Sequence, residues 1–428
     1  RYREGLLRAY GNLQQMHAIS SNEALYAIEE GKLEISRKSG EDENVDQELQ
    51  KTVFQVWKQI LEDTVSLLLD AKRMDDTDRK ILDYCQQALK KSGHRTENVL
   101  CRMTLNPSED LTSDSLEGVL GMAILSVGKL INLCSFLYER YAYSRKDRDA
   151  MDELEILGSE RLPAYSQTIL HDLFELTAMY YAPDKMIIMQ LWQELSDARD
   201  IAQRYRPLAP NFTLEDGGRL LELAEYAYTG LPENGAFYAP LSRQEIPVCL
   251  KECTMYQERY GLLDLKGSLK AVFAKNDGKI YIGFAGTEVW NKIPTLGADI
   301  QQLVSPCLMY LRAAGIVAAF MQKYSDMEII VAGHSLGGGL AQMAVLANSA
   351  SANTKLYGAA FNSAGLSLQS LTIAAGAERL GYASQKITHF RSEYDVVSSA
   401  GALVGGIVLL DQATFPYHCI SNIKDCFP

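Results

Sequence analysis

One decapeptide carries residue types and spacing suited to chemistry: Val331-Ala-Gly-His-Ser-Leu-Gly-Gly-Gly-Leu340. It contains Gly-x-Ser-x-Gly, with Ser335 between Gly333 and Gly337. A serine placed where a strand turns abruptly into a helix must take strained backbone angles. Glycines on either side remove the Cβ atoms that would keep strand and helix apart. The hydroxyl then stands above the sheet edge, and the new helix aims its unpaired N–H groups at charge developing beside it. Ser335 is therefore the candidate nucleophile, and the N–H of Leu336 the first candidate donor to an oxyanion. A phosphate-cradling loop would need Gly-x-Gly-x-x-Gly or a Gly-Lys-Ser ending, and this segment has neither.

A serine hydroxyl is a weak nucleophile at neutral pH and needs a base that is itself held by a carboxylate. After a nucleophile of this kind the expected chain order is acid, then histidine. Of the six histidines only His389 and His418 follow Ser335. His389 lies inside a β-prone run, before the preferred carboxylate, and reads as a strand histidine with a structural hydrogen bond. His418 lies on an expected loop near the end of the sequence and is the candidate general base. Asp395, just past the same β-prone run, is the candidate carboxylate, with Glu393 and Asp411 as alternatives. The β-prone segment Ile280–Phe284 leads into Ala285-Gly286-Thr287, and the Thr287 N–H is the candidate second oxyanion donor. Trp290, Ile293 and Leu296 stand among polar residues in the following segment and form a candidate substrate contact; the alternative is a loop packed on the core. The apolar stretch Val396–Leu410 either lines an acyl pocket or is simply buried.

The elements needed to position these residues can be read from periodicity. Ser268–Ala274 and Lys279–Phe284, joined by Asn276-Asp277-Gly278, predict a β-hairpin. Then follow an expected helix over 300–324, a strand over 328–332, a helix over 336–347, a strand over 355–361, a helix over 368–380 and a strand over 386–390. Such alternation predicts a mostly parallel sheet covered on both faces. Residues 1–205 read as helices throughout: the apolar spacing over 44–69, a capping-box-like start at Asp114 and Glu117, and amphipathic runs over 171–181 and 185–205. The run 119–138 is long enough to span a bilayer, but Lys129 at its middle favours a buried helix in a bundle. Pro207 and Pro210 break the helical pattern and mark an expected boundary between a helical domain (1–205) and a second domain (212–428).

Composition agrees with this division. The first 200 residues hold 24 basic and 35 acidic residues and 9 of the 31 glycines; the remainder hold 18 and 19, with the other glycines. Helices followed by strands and tight turns would produce such a shift. The net charge of −12 argues against nucleic-acid binding through a broad basic face. With 47% apolar residues the chain is not largely disordered. The eight cysteines are scattered, with no Cys-x-x-Cys pair to suggest zinc; Cys249 with Cys253 and Cys419 with Cys426 are each spaced so that they could bridge or stay reduced. Asn211-Phe-Thr213 matches an N-glycosylation acceptor.

Taken together, Gly-Phe-Ala-Gly-Thr-Glu (283–288), Gly-His-Ser-Leu-Gly-Gly (333–338), Tyr-Asp-Val-Val (394–397) and the late His-Cys-Ile (418–420) resemble the class 3 lipase family of α/β-hydrolases. The resemblance covers about residues 212–428. It implies an esterase of triacylglycerols, phospholipids or galactolipids with a Ser335–Asp395–His418 triad, no cofactor and no metal, and a lid after the oxyanion segment, for which 288–296 with Trp290, Ile293 and Leu296 is the expected place. Ala285 stands where the family commonly has arginine. Phe361-Asn-Ser-Ala-Gly365 is similar to bacterial relatives, some of which are phospholipase toxins delivered into competing bacteria. The resemblance thus implies a lipid or phospholipid substrate at a membrane surface. It also raises a secreted antibacterial lipase effector, reaching a target-cell membrane or periplasm, with a delivery, chaperone or immunity protein as partner of the helical domain. The other expectations are a thioesterase, acyltransferase or peptidase on the same fold, or a partner-binding helical protein with a degenerate hydrolase domain.

Overall fold

The computed structural model describes residues 58, 61–66, 68, 76–91, 133, 136, 144–159, 165–180, 210–233, 237–265, 269–286, 308–351, 353–366, 377–392, 395, 398, 402–411, 413 and 420–428. The chain divides into two compact units. In the first, α1 (Asp76–Lys91) and α3 (Tyr165–Tyr180) are described. They bury Leu82, Cys85 and Leu89 on the one, and Ile169, Leu173 and Leu176 on the other. These positions recur at helical spacing, so each helix buries one stripe. The rings of Tyr84 and Phe174 meet with centroids 5.4 Å apart. Burial pushes the Cys85 thiol up to about 11, although Thr177 hydrogen-bonds it.

The second unit holds a nine-stranded sheet. Its strands are β1 (Ala239–Pro240), β2 (Tyr256–Gln257), β3 (Leu262–Leu265), β4 (Leu269–Asn276), β5 (Lys279–Phe284), β6 (Glu328–His334), β7 (Leu356–Phe361), β8 (Ile387–Ser392) and β9 (Gly406–Leu410). They lie in the order β2-β3-β4-β5-β6-β7-β8-β9, with β1 on β4. From β5 to β9 every pairing is parallel; β1 to β5 pair antiparallel. The sheet is therefore mixed rather than mostly parallel. The antiparallel side was hard to foresee because β1, β2 and β3 run only two, two and four residues, too short for a periodic signal. The expected hairpin is β4–β5, closed by Asn276 opposite Lys279. Within the apolar stretch 396–410, the last five residues form β9.

Period two sorts each central strand between two cores. In β6, Ile329 and Val331 face α6 (Leu308–Lys323) and α7 (Leu336–Asn348), whereas Ile330 and Ala332 face α4 (Leu214–Thr229); the one-turn α5 (Val248–Lys251) comes between α4 and α6 in the chain. Helix α4 begins with a complete capping box: Thr213 accepts from the Asp216 N–H, and the Asp216 carboxylate accepts from the Thr213 N–H. It buries Leu220, Leu221 and Leu223, each worth about 1.5–3 kcal/mol of transfer free energy when fully buried.

One helix from the first half of the chain belongs to this second unit. Helix α2 (Arg145–Ser159) packs on α6. The crossing is tight: a Cβ on Gly315 would drive into the Leu154 carbonyl, and one on Gly158 into the Leu311 carbonyl. The buried Arg312 donates to Glu155 at 2.7 Å. Asp147, near the start of α2, accepts from the Thr254 N–H at 2.8 Å and from its hydroxyl. The division into units thus does not follow a single cut near residue 206. Most of the run 119–138 lies outside the described residues, and no described helix is long and apolar enough to cross a membrane.

Candidate active site

Four of the five parallel strands, β5, β6, β7 and β8, end on one edge of the sheet, in register: Phe284 beside Gly333, His334 beside Phe361, Phe361 beside Phe390. Parallel pairing brings their carboxyl ends together, and the loops leaving those ends converge. Residues 286, 335, 362 and 395 all follow those ends.

Ser335 is the sole residue between β6 and α7. Its backbone sits at φ 59°, ψ −126°, a region that L-residues seldom occupy and that costs on the order of 1–3 kcal/mol. Three hydrogen bonds hold it there. The Ser335 N–H donates to Phe361 O at 3.0 Å, and the Ser335 carbonyl accepts from Gly339 N at 3.2 Å and Ala364 N at 3.0 Å. The motif glycines answer to the predicted need. A Cβ on Gly333 would strike the Gly337 carbonyl, and a Cβ on Gly337 would strike that of Phe284. Leu336 is the first residue of α7, so its N–H is among those with no acceptor inside the helix. Ser335 itself is fully buried.

Asp395 stands three residues past β8 and is buried at 1% exposure, whereas Asp411, an alternative carboxylate, is exposed. The Asp395 carboxylate accepts from the Ser398 N–H at 2.9 Å, and its N–H donates to Ser392 O at 3.2 Å. Sequence reasoning missed what fixes this turn to the nucleophile's neighbour. Asn362, at φ 40° past the end of β7, accepts from Ser392 N at 2.8 Å and donates to Ser392 Oγ at 3.1 Å. The chain of contacts runs from Asn362 through Ser392 to Asp395. An asparagine in a Phe-Asn-Ser turn after an expected strand was the available signal, since asparagine tolerates positive φ and bonds locally.

His389 has the structural setting expected of it. Its Nδ1 meets Ser363 Oγ at 2.9 Å and its Nε2 meets Val404 O at 3.0 Å, inside the sheet. A carbonyl can only accept, so Nε2 carries the proton and, in the neutral ring, Nδ1 accepts from Ser363. Gln342 of α7 ties the same region together, accepting from Val404 N at 2.5 Å.

Beyond β5, Gly286 lies against the nucleophile: a Cβ built on it would be 3.3 Å from Ser335 Cβ and 3.0 Å from the His334 carbonyl oxygen. The structure thus brings residues 286, 335 and 336 together. Thr287, Trp290, Ile293, Leu296, Glu393 and His418 lie outside the described residues, as does Cys419. Cys249 and Cys253 are reduced thiols, each pushed up to about 11 chiefly by burial. Among the described residues no group of three or more His, Cys, Asp or Glu is placed to hold a metal ion.

Residues 220–408 match a phospholipase-like family model, the Tle-like phospholipase domain. The matched segment runs from within α4 through β1 to β8 and into β9, and includes Ser335 and Asp395, but stops short of His418. A comparison with curated proteins returns no match. Among solved structures, a crystal structure of Lip2 lipase from Yarrowia lipolytica is similar at 14% identity and a TM-score of 0.27, covering 48% of this chain and 80% of that one.

Proposed function

We propose that the protein is a serine hydrolase of lipid carboxylic esters, of phospholipase A type. The observation that carries this reading is Ser335, strained and hydrogen-bonded between β6 and α7 inside the phospholipase-like domain, with Asp395 following the next strand but one on the same edge. Ser335 attacks the ester carbonyl. His418 takes its proton and returns it to the leaving alcohol, and Asp395 holds the imidazole and stabilises its charged form without taking the proton. The N–H groups of Leu336 and Thr287 receive the oxyanion. Water then releases the fatty acid from the acyl-enzyme, with His418 again as base. These steps use side chains and backbone amides alone.

The test is lipid-product analysis after incubation with mixed bacterial membranes. The wild-type chain is expected to release fatty acid and a lyso-lipid, and Ser335→Ala to release neither. Ester hydrolysis surviving in Ser335→Ala would remove the nucleophile assignment. Faster turnover of short soluble esters than of long-chain phospholipids would point to a general esterase on the same fold. The finer reading, an antibacterial effector, predicts that periplasmic expression of the wild-type chain, but not of Ser335→Ala, harms the cells.

A further inference from the structure

We propose that Tyr228 is a positioning residue for the hydrolytic site, fixing the backbone beside the nucleophile; this rests on the reading of Ser335 given above. Tyr228 is the penultimate residue of α4, on a different element from every group in the proposed mechanism. Its hydroxyl oxygen accepts a hydrogen bond from the Gly286 N–H at 2.9 Å. A Cβ on Gly286 would lie 2.6 Å from that oxygen and 3.3 Å from Ser335 Cβ. The phenol oxygen, the Gly286 backbone and the nucleophile's side chain are therefore successive layers in contact.

The need for the phenol follows from where the sheet stops. The ladders of β5 end at Phe284, opposite Ala271 and Gly333, and Ala285 makes one more bond, to Lys270 O at 3.1 Å. Gly286 is the first amide beyond the reach of the sheet. An N–H at such a point needs an acceptor, and Tyr228 provides it from the side. Two consequences follow. The Gly286 N–H is committed to the phenol and is not an oxyanion donor, so the donor from this segment is the next amide, that of Thr287. The backbone at Gly286, where the chain leaves the sheet, is fixed by Tyr228 across 58 residues of sequence. Gly286 cannot gain a side chain without displacing the phenol, so the two residues are matched.

A hydrogen bond that sets the direction of a catalytic amide acts on turnover rather than on substrate binding, since misplacement by about 1 Å can cost about 10²-fold in rate. The experiment compares wild type, Tyr228→Phe and Ser335→Ala as full chains, on a p-nitrophenyl ester and on phospholipid vesicles. Active sites are titrated with a fluorophosphonate. Tyr228→Phe is expected to lower kcat per titrated site about 10- to 10²-fold, with KM changed less than about twofold. Fluorophosphonate labelling of Ser335, which also develops charge on an oxygen, is expected to slow in the same proportion. A kcat per titrated site within about twofold of wild type overturns the proposal, as does a loss that lies wholly in the number of titratable sites. Where Tyr228→Phe does not fold, p-aminophenylalanine at 228 keeps the shape but presents a poor acceptor, and the same outcomes apply. Activity retained by Ser335→Ala is a separate result: it removes the hydrolase reading itself, whereas an inactive Ser335→Ala beside an unimpaired Tyr228→Phe removes only the positioning role.

Discussion

Ser335 holds a conformation that its own side chain disfavours, and the strain is met by hydrogen bonds from Gly339 and Ala364 and to Phe361. A single methyl group on Gly333 or Gly337 should therefore undo the junction. Gly337→Ala is expected to give insoluble or unlabelled protein, read by fluorophosphonate incorporation against expression level. Asp395→Asn keeps the size of the side chain but removes the charge that orients the base; kcat is expected to fall by up to about 10⁴-fold, while the Ser398 N–H still finds an acceptor at position 395. Away from the site, the Glu245 carboxyl is held well below its ordinary value. Its carboxylate accepts from Lys275 and from the Ser242 N–H and hydroxyl, which hold it down to about 2. The folded value lies below the unfolded one, so the folded state binds fewer protons between them. The stabilisation is complete above about pH 4.5 and is lost as pH falls toward 2. Urea midpoints measured across that window should drop less steeply for Glu245→Gln than for wild type. The placement of Ser335 and Asp395 just past strand ends was legible because each follows a β-prone run. Tyr228 was not, because its partner is a backbone amide in a distant segment; nor was Ser392, whose partners are set by how two strand ends meet.

At the scale of elements, the β4–β5 hairpin was legible from three residues. Asp277 at φ 44° and Gly278 at φ 71° form the turn that Asn-Asp-Gly favours, and the turn fixes the register. Strand β9 was not legible, because a Gly- and Ala-rich apolar stretch has no alternation to separate strand from loop. The placement of α2 was hidden for a different reason. It meets α6 through the buried Ala150, Met151 and Leu154, through Gly158 against Leu311 and Gly315 against Leu154, and through Glu155 on the buried Arg312, and the partners lie about 150 to 160 positions apart in sequence. Glycine in a helix usually reads as a weakness, but Gly158 and Gly315 let two backbones approach. Gly315→Ala should lower the stability of the second unit by about 1–3 kcal/mol, measured by urea unfolding. Thr213→Ala, which removes the cap of α4, should cost about 0.5–2 kcal/mol in the same assay.

At the scale of the molecule, the stretch that matches the family model is shorter than the unit that folds around it. The match spans 220–408, whereas the second unit takes in residues 143–165 as well. A fragment of residues 212–428 would expose the face of α6 that Arg312 and Gly315 occupy, and is expected to aggregate. The full chain should remain soluble under the same expression conditions, and size-exclusion chromatography separates the two outcomes. A domain boundary set by proline and composition marks where a pattern changes, but it does not record which earlier helix returns to pack. The burial of Ser335 has a kinetic consequence. An oxygen with no surface open to solvent waits for its surroundings to part before any reagent can reach it. At high reagent concentration, covalent capture of that serine should cease to accelerate and level off at a ceiling characteristic of the protein alone. If a membrane or detergent surface favours the parted form, that ceiling is expected to rise when vesicles are added, and an unchanged ceiling would show that lipid does not open the site.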